Sequence, residues 1–549
     1  MKISEVVRLS DEVVRSKGNI EGWDRLEGIF ENGKEADAKY VFDTTYLSVE
    51  IRNLLEAVGK KLRGESNTGC FIIMGGRGTG KSRILCLLWH LFNNKEVAET
   101  WLKKNDLKFD VEENVKVLAF SLLRKPPAFL WEPIFEDLGR ADLLKTVEVF
   151  PGSDHVERAI AGRGVVVLIV DELEAWYRSV KDKDANLNFL QVLAEIACKK
   201  NSKLLFFCAL YGEVGEVLAR LNRVKPYKTN LTLSRDRPKI ILHRLIKGLD
   251  KRQAQKIVNT YVTLYRNSEI EVPDLPQYER RMVELYPFHP ELIDTLLTKY
   301  SASPNYQNTR GVLCLLGSIV YKKFDEVDLL LTSDVDMEEP DLLTLDRALT
   351  ENAQKDVSNI EDKLARCLLN TILLHSFGNG GASRDDVVLG VLRPGMNVND
   401  VDALLAQLPN LAPHVWPKDG KYVIRHQPNI ITLIQRKAIE NIRAGRINEA
   451  LNIIKKKLKK DPSSVVFHPD PSLSDAIDDE DKLKVVVSLK PLDRAEISKL
   501  YKGRQFANRL ILYIPKEVDL SRDEDLLIIA ERLRLCDQYE GEVSGENKA

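Results

Sequence analysis

The chain is predicted to fold as an α/β protein built on a parallel sheet, and three observations point there. A glycine-rich loop, Gly75-Gly76-Arg77-Gly78-Thr79-Gly80-Lys81-Ser82, lies between the apolar run Cys70-Phe71-Ile72-Ile73-Met74 and a helical pattern from Ile84 to Phe92. That is the strand–loop–helix setting of a phosphate-binding loop. A second run, Val165-Val166-Val167-Leu168-Ile169-Val170, is apolar throughout, as a strand buried on both faces must be, and it ends in Asp171-Glu172. Between residues 66 and 237, β-rich runs alternate with helical patterns, as they do when helices cover both faces of a parallel sheet.

The elements follow in order. Residues 1–65 read as mostly helical, with Leu47, Ile51, Leu54, Leu55, Val58 and Leu62 at helical spacing. Residues 66–237 are the expected P-loop ATPase core, with strands at 70–74, 115–120, 165–170, 204–210 and 229–233 and helices at 82–93, 185–199 and 213–222. Five strands with the acid on the third is the plan of the AAA+ class. That plan is expected to put the loop strand centrally and the acidic strand apart from its sequence neighbour. Residues 238–350 read as a helical lid. Residues 351–440 show three helices (362–375, one starting at Ser383, and 398–408), then strands flanking the turn Asp419-Gly420, which together suggest a winged helix. Residues 441–549 hold two apolar strands, Val485–Val487 and Leu510–Ile514, implying a small C-terminal α/β unit, with a disordered tail expected after Gly541.

The loop's residue types fit its chemistry. Glycines let successive backbone N–H groups turn inward around phosphate oxygens, and the positive end of the following helix adds to the anion site. Lys81 is expected to reach the β- and γ-phosphates of ATP and the Ser82 hydroxyl to hold Mg²⁺. Arg77 and Arg83 are counted with the loop as nucleotide-binding candidates. Asp171, at the tip of its strand, suits the Mg²⁺ shell, and Glu172 suits a base that polarises the attacking water. The plainer reading is that Asp171-Glu172 only caps the helix beginning near Leu173. Its place about 90 residues after the loop, behind an all-apolar strand, favours catalysis. ATP and Mg²⁺ are therefore the expected cofactors, and ATP hydrolysis the expected activity.

Composition narrows the field. The chain has 549 residues, enough for several domains, and 44% are hydrophobic. Charged residues make up 30%, yet the formal net charge is −1. The charges are therefore interspersed, and no global basic field marks a nucleic-acid binder. The seven cysteines form no CxxC pair, which argues for reduced core thiols in a cytoplasmic protein rather than zinc ligands or disulfides. No membrane partner is expected, because no apolar run is long enough to span a bilayer.

Several stretches carry a family resemblance. They are Phe42-Asp43-Thr44-Thr45-Tyr46-Leu47-Ser48; the loop with its tail Leu87-Leu88-Trp89-His90-Leu91-Phe92; Tyr286-Pro287-Phe288-His289-Pro290-Glu291-Leu292; Gln307-Asn308-Thr309-Arg310-Gly311-Val312-Leu313; and Phe506-Ala507-Asn508-Arg509-Leu510. In these the chain resembles the large ATPases of unknown function from bacterial and archaeal defence islands, relatives of the ATPases of BREX-type phage-resistance systems. The resemblance implies ATP binding and, by association, a role in defence or DNA metabolism. Members are often much longer, so functions of their C-terminal extension are not implied here. By AAA+ logic, Arg310 is a lid arginine that folds over the γ-phosphate, or else a structural arginine paired with an acid. Arg220 and Arg223 are candidates for the arginine a neighbouring subunit would supply, which makes a homo-oligomer plausible. The polar sensor after the fourth strand falls to Cys208 or Tyr211.

Three motifs weigh against their more eye-catching readings. The third helix of the winged-helix segment carries Asp400 and Asp402 and no base in its N-terminal half, whereas Lys418, Lys421, Arg425 and His426 sit on the wing. This favours a protein effector over DNA as the partner, with DNA still open. The run Lys455-Lys456-Lys457-Leu458-Lys459-Lys460 reads first as a solvated helix face. His289, among aromatics and prolines, reads as lid architecture rather than as a catalytic group.

Overall fold

The computed structural model describes every residue except 110–112, 213–214, 233–234, 273, 300–307, 359, 459–464, 468–476 and 540–549. Expectations placed on Leu233, Gln307, Lys459, Lys460, the start of the 213–222 helix and the tail lie outside the described residues. Two compact units divide the chain: Met1–Arg347 with Asn370–Val398, and Ala348–Leu369 with Asn399–Ala549.

The first unit is organised by β2 to β6. A short strand, β1 (Val7–Leu9), precedes them; they are Cys70–Met74, Val115–Ser121, Val165–Asp171, Leu204–Leu210 and Tyr227–Asn230. All neighbouring pairs run parallel, in the order β3-β4-β5-β2-β6. This is an AAA+-like P-loop core, with the loop strand inside the sheet. The expectation that the acidic strand lies apart from its sequence neighbour is corrected: β4 pairs with β3 on one side and β5 on the other. The strands separated from their successors are β2, which lies three places from β3, and β5, which has β2 between it and β6.

Burial follows from position in the sheet. Every residue of β2, β4 and β5 is buried, whereas the edge strands β3 and β6 carry half-exposed and polar positions such as Lys116 and Lys228. Because side chains alternate across a strand, each central strand feeds two cores. Cys70, Ile72, Val166, Leu168, Phe206 and Cys208 pack on one face with the helix Lys183–Ala197. Phe71, Ile73, Val167, Ile169, Leu205 and Phe207 pack on the other with the loop helix Lys81–Asn93 and the helix Val49–Leu62. The loop and the acids thus leave the same, carboxyl edge of a sheet held from both sides.

Residues 1–65 are less helical than their pattern suggests. Val7–Leu9 forms a strand paired antiparallel with β7 (Ile246–Leu249). Between Ser16 and Asp37 the described structure holds only two short 3₁₀ turns, Leu26–Ile29 and Lys34–Ala36. The pairing joins segments more than 230 residues apart, which no local periodicity reveals. The described residues of 238–345 are mainly helical. Tyr286-Pro287 is a cis peptide bond, and fully buried His289 caps the helix Pro290–Thr298 by accepting the Glu291 N–H at Nδ1. Its Nε2 lies 3.0 Å from the Tyr265 hydroxyl, and burial pulls its pKa down to about 3. It is therefore a neutral packing residue at any physiological pH. A short strand, β8 (Ala382–Ser383), precedes the helix Arg384–Val391.

In the second unit, β9 (Val415–Lys418) and β10 (Lys421–Ile424) form the expected hairpin. Its turn residues Asp419 and Gly420 both have positive φ, 52° and 73°, as a two-residue primed turn demands. Among its described residues the last segment has three strands rather than two: β11 (Val465–Phe467), β12 (Lys484–Val487) and β13 (Leu510–Tyr513), all parallel. The extra strand is only three residues long, too short to show alternation.

Candidate functional site

The carboxyl edge of the sheet opens into a cavity of about 860 Å³ in the first unit. Gly78, Thr79, Gly80, Lys81, Ser82, Arg77 and Arg83 line it, with Asp171 and Glu172. Gly78 (φ 73°) and Gly80 (φ 96°) turn the loop through the left-handed region, where a side chain would add strain. Gly75 and Gly76 form the start of the loop, and their carbonyls accept from Lys81 Nζ at 2.8 Å each. Burial lowers the Lys81 pKa, while Asp171 and Glu174 oppose that shift.

The two acids are held differently. Asp171 is buried, accepts from the Ser82 hydroxyl at 2.6 Å and from the Glu172 N–H at 2.8 Å. Burial raises its pKa, and those two hydrogen bonds pull the other way. Hard oxygen donors at this spacing, a hydroxyl and a carboxylate, suit Mg²⁺. Glu172 has φ 59°, an uncommon conformation for a residue with a side chain and one that clusters at functional sites. The turn ends β4 and starts the helix Leu173–Ser179. Glu172 Oε2 lies 3.0 Å from Ser121 Oγ, which is also 2.5 Å from Glu27 Oε1. Burial raises the Glu172 pKa, Ser121 opposes this, and Asp171 and Glu27 add to it.

The other candidates divide. Arg310 lines the cavity, its guanidinium 4.3 Å from the centroid of the Trp23 ring. Arg220 and Arg223 do not line it; both donate to Gln191 Oε1, at 3.0 and 3.2 Å. Of the two sensor candidates, Cys208 is buried in the sheet core and absent from the cavity wall, so that expectation is corrected. Tyr211 does line the wall, its ring 5.7 Å from Lys81 Nζ.

Sequence reasoning missed the N-terminal contribution. Trp23, Asp24, Arg25 and Glu27 line the cavity, as do Arg237 and Arg244 from the helix Arg237–Leu245. Asp24 pairs with Arg83 Nε at 3.1 Å, and Arg244 pairs with Glu12 at 2.9 Å. The spacing of Arg237 and Arg244, seven residues on one helix, was a usable signal, since such residues share a face. Nothing in residues 22–27 marks them.

No protein-family model and no curated protein matches the chain. Solved structures similar to it include the Walker-type ATPase Paby2304 of Pyrococcus abyssi, 12% identical, over 70% of this chain and 97% of that one, with a TM-score of 0.24. The Aeropyrum pernix ORC2 protein, solved as ADPNP–ADP complexes, is 13% identical over 70% of this chain and 93% of that one, with a TM-score of 0.27. Likeness at this level transfers no activity, and the AAA+-like assignment stands on the strand order and the loop.

Among the described residues, Glu291, His375 and Asp386 also bring ligand-type atoms together. Lys299 Nζ lies 3.2 Å from His375 Nδ1 and so brings positive charge to that cluster. Burial first, then Asp386, pushes the Glu291 pKa up to about 7; Asp294 adds to this, while Thr295 and Lys299 oppose it. A carboxyl that keeps its proton in the fold destabilises it once that proton is lost. Stability is therefore expected to fall as pH rises from about 4.5 through about 7. Glu291→Gln, which mimics the protonated form, should raise stability at pH 8 relative to wild type by on the order of 3 kcal/mol and leave it unchanged near pH 4. Thermal melts of both proteins across that range check this.

Proposed function

We propose that the protein is a Mg²⁺-dependent ATPase of AAA+ type that binds ATP between its sheet edge and its lid. The observation that carries the reading is one cavity lined by the loop from Arg77 to Ser82, the Ser82–Asp171 pair and Glu172. Lys81 would exchange its bonds to Gly75 and Gly76 for phosphate oxygens. Ser82 and Asp171 would hold Mg²⁺, which screens phosphate charge when bound. Glu172 would orient and deprotonate the attacking water.

Arg310 is assigned to the lid. Its stack on Trp23 is the contact that a γ-phosphate would compete with. A non-hydrolysable ATP analogue is expected to change tryptophan emission where ADP does not, and the change should vanish in Trp23→Phe. Arg310→Ala should lower turnover about 10²-fold. Equal emission changes with both nucleotides would remove Arg310 from this role.

The family resemblance supports a setting in prokaryotic defence or another DNA-associated process. A homo-oligomer would let Arg220 or Arg223 serve a neighbour's site. The alternative is a nucleotide-gated scaffold that hydrolyses slowly and recruits a protein effector through a winged helix. It is favoured by one feature, the acidic start of the helix Val398–Leu411, with Asp400 exposed. The test is steady-state phosphate release from Mg²⁺–ATP, with and without duplex DNA at two salt concentrations. Turnover that rises with DNA supports a DNA-linked ATPase. ATP binding without turnover supports the scaffold.

A further inference from the structure

The helix Glu524–Tyr539 is apolar on two faces. One face is used inside its own unit. Leu527 and Ala530 pack with Ile442 and Ala450, and Leu535 and Tyr539 with Ile434 and Ala438, from the helices Ile430–Arg443 and Ile447–Leu458. The other face is bare among the described residues. Ile529 is 61% exposed, Leu533 is 37% exposed, Cys536 is exposed and Leu526 is half-buried. At 3.6 residues per turn these side chains fall within about 80° of arc, on the side opposite the packed face.

Their spacing is that of a coiled-coil seam. Positions 526, 529, 533 and 536 step by three, four and three residues, as the a and d positions of two heptads do. Single surface leucines are ordinary, whereas an ordered apolar row marks a contact face. The residues bordering the row give the direction of a partner helix. Arg532 takes position g and Asp537 position e, on opposite sides of the seam. In a parallel pair, g of one helix meets e five residues further along the other, so Arg532 would face Asp537 of a second copy, twice by symmetry. Antiparallel pairing would instead bring the two Arg532 side chains together. Arg534 is already committed, to Glu449 at 3.1 Å and Glu531 at 2.7 Å. Arg532 and Asp537 form no ion pair among the described residues. Residues 540–549 hold one large apolar side chain, Val543, too few to cover the row.

We infer that this face is a homodimer interface, in which the helix Glu524–Tyr539 pairs in parallel with the same helix of a second copy. An isolated helix of this length is marginal in water. Here the bundle already holds it, so pairing carries little ordering cost. Leucine at a with isoleucine at d favours more than two strands in free peptides, but the packed opposite face leaves room for one neighbour. The interface does not depend on the reading of the nucleotide site.

The test is sedimentation equilibrium of the full-length chain across a range of concentrations, with thermal melts of each variant. Wild type is expected to dimerise with a Kd on the order of micromolar, as small interfaces do. Ile529→Asp should weaken the dimer about 10-fold or more and leave the melt unchanged, since that side chain is exposed. Arg532→Asp should weaken it about 3- to 10-fold, and adding Asp537→Arg should restore it. If Ile529→Asp melts early, that loss and its rescue decide the matter. Cys536 reports the direction. In a parallel pair the two Cys536 thiols stand level, so diamide, which takes up the two thiol hydrogens, should give a disulfide-linked dimer that Cys536→Ser abolishes. In an antiparallel pair they would lie roughly 15 Å apart along the axis, too far for a disulfide. A monomer at every concentration, or an assembly of unchanged strength in Ile529→Asp, would overturn the interface. A dimer lost in Ile529→Asp that does not link through Cys536 would overturn the parallel pairing.

Discussion

Glu172→Gln is expected to lower ATP turnover by about 10²- to 10⁴-fold, the range a general base contributes, while leaving nucleotide affinity within a few-fold. The carboxylate stands at the tip of β4 in a left-handed turn, φ 59°, that aims it into the cavity. Burial, with Asp171 and Glu27 nearby, raises its proton affinity, which makes it a better base near neutral pH. Glutamine has the same shape and can keep a hydrogen bond to Ser121, so the fold should not register the change. It cannot accept a proton from water. The effect should therefore appear in kcat alone, read as phosphate release beside an ATP titration of the same protein. Turnover within about three-fold of wild type would remove Glu172 from the chemistry and leave it the cap of the helix Leu173–Ser179.

Lys81→Ala should act on binding. The ammonium already makes two hydrogen bonds of 2.8 Å to the loop carbonyls, so its stem is extended along the loop where the phosphates would lie. Charge-assisted bonds of this kind contribute about 1.5–3 kcal/mol. Losing the ammonium should thus weaken ATP binding by about 10- to 100-fold and lower turnover with it. Lys81→Arg should not restore affinity, because a planar, forked guanidinium does not reproduce the compact point charge of the ammonium. Calorimetric titration of both variants checks this, and an unchanged affinity in Lys81→Ala would contradict it.

The phosphate loop and the acids were legible because their residues are contiguous and their strands are apolar from end to end. Strand order was not, since it depends on pairings between segments far apart in sequence; β4 pairing with both neighbours shows this. The inward or outward sense of Cys208 could not be read either. β5 is apolar on both faces, so its alternation carries no sign of direction. The contribution of residues 22–27 was hidden for a different reason. That segment reaches the cavity on a scaffold set by β1 pairing with β7, some 240 residues away, and it has no periodicity of its own. Arg310 lines the cavity, and its partner Trp23 comes from that same unreadable segment. In the last segment, the strand Val465–Phe467 was too short to register against its flanks.

The most direct test of the central claim is an equilibrium titration of the full-length protein with ATP, in the presence and absence of Mg²⁺. The account predicts saturable binding of one ATP per chain, strengthened by Mg²⁺ through Ser82 and Asp171 and weakened in Lys81→Ala. Absence of saturable ATP binding to the folded wild-type chain would contradict it.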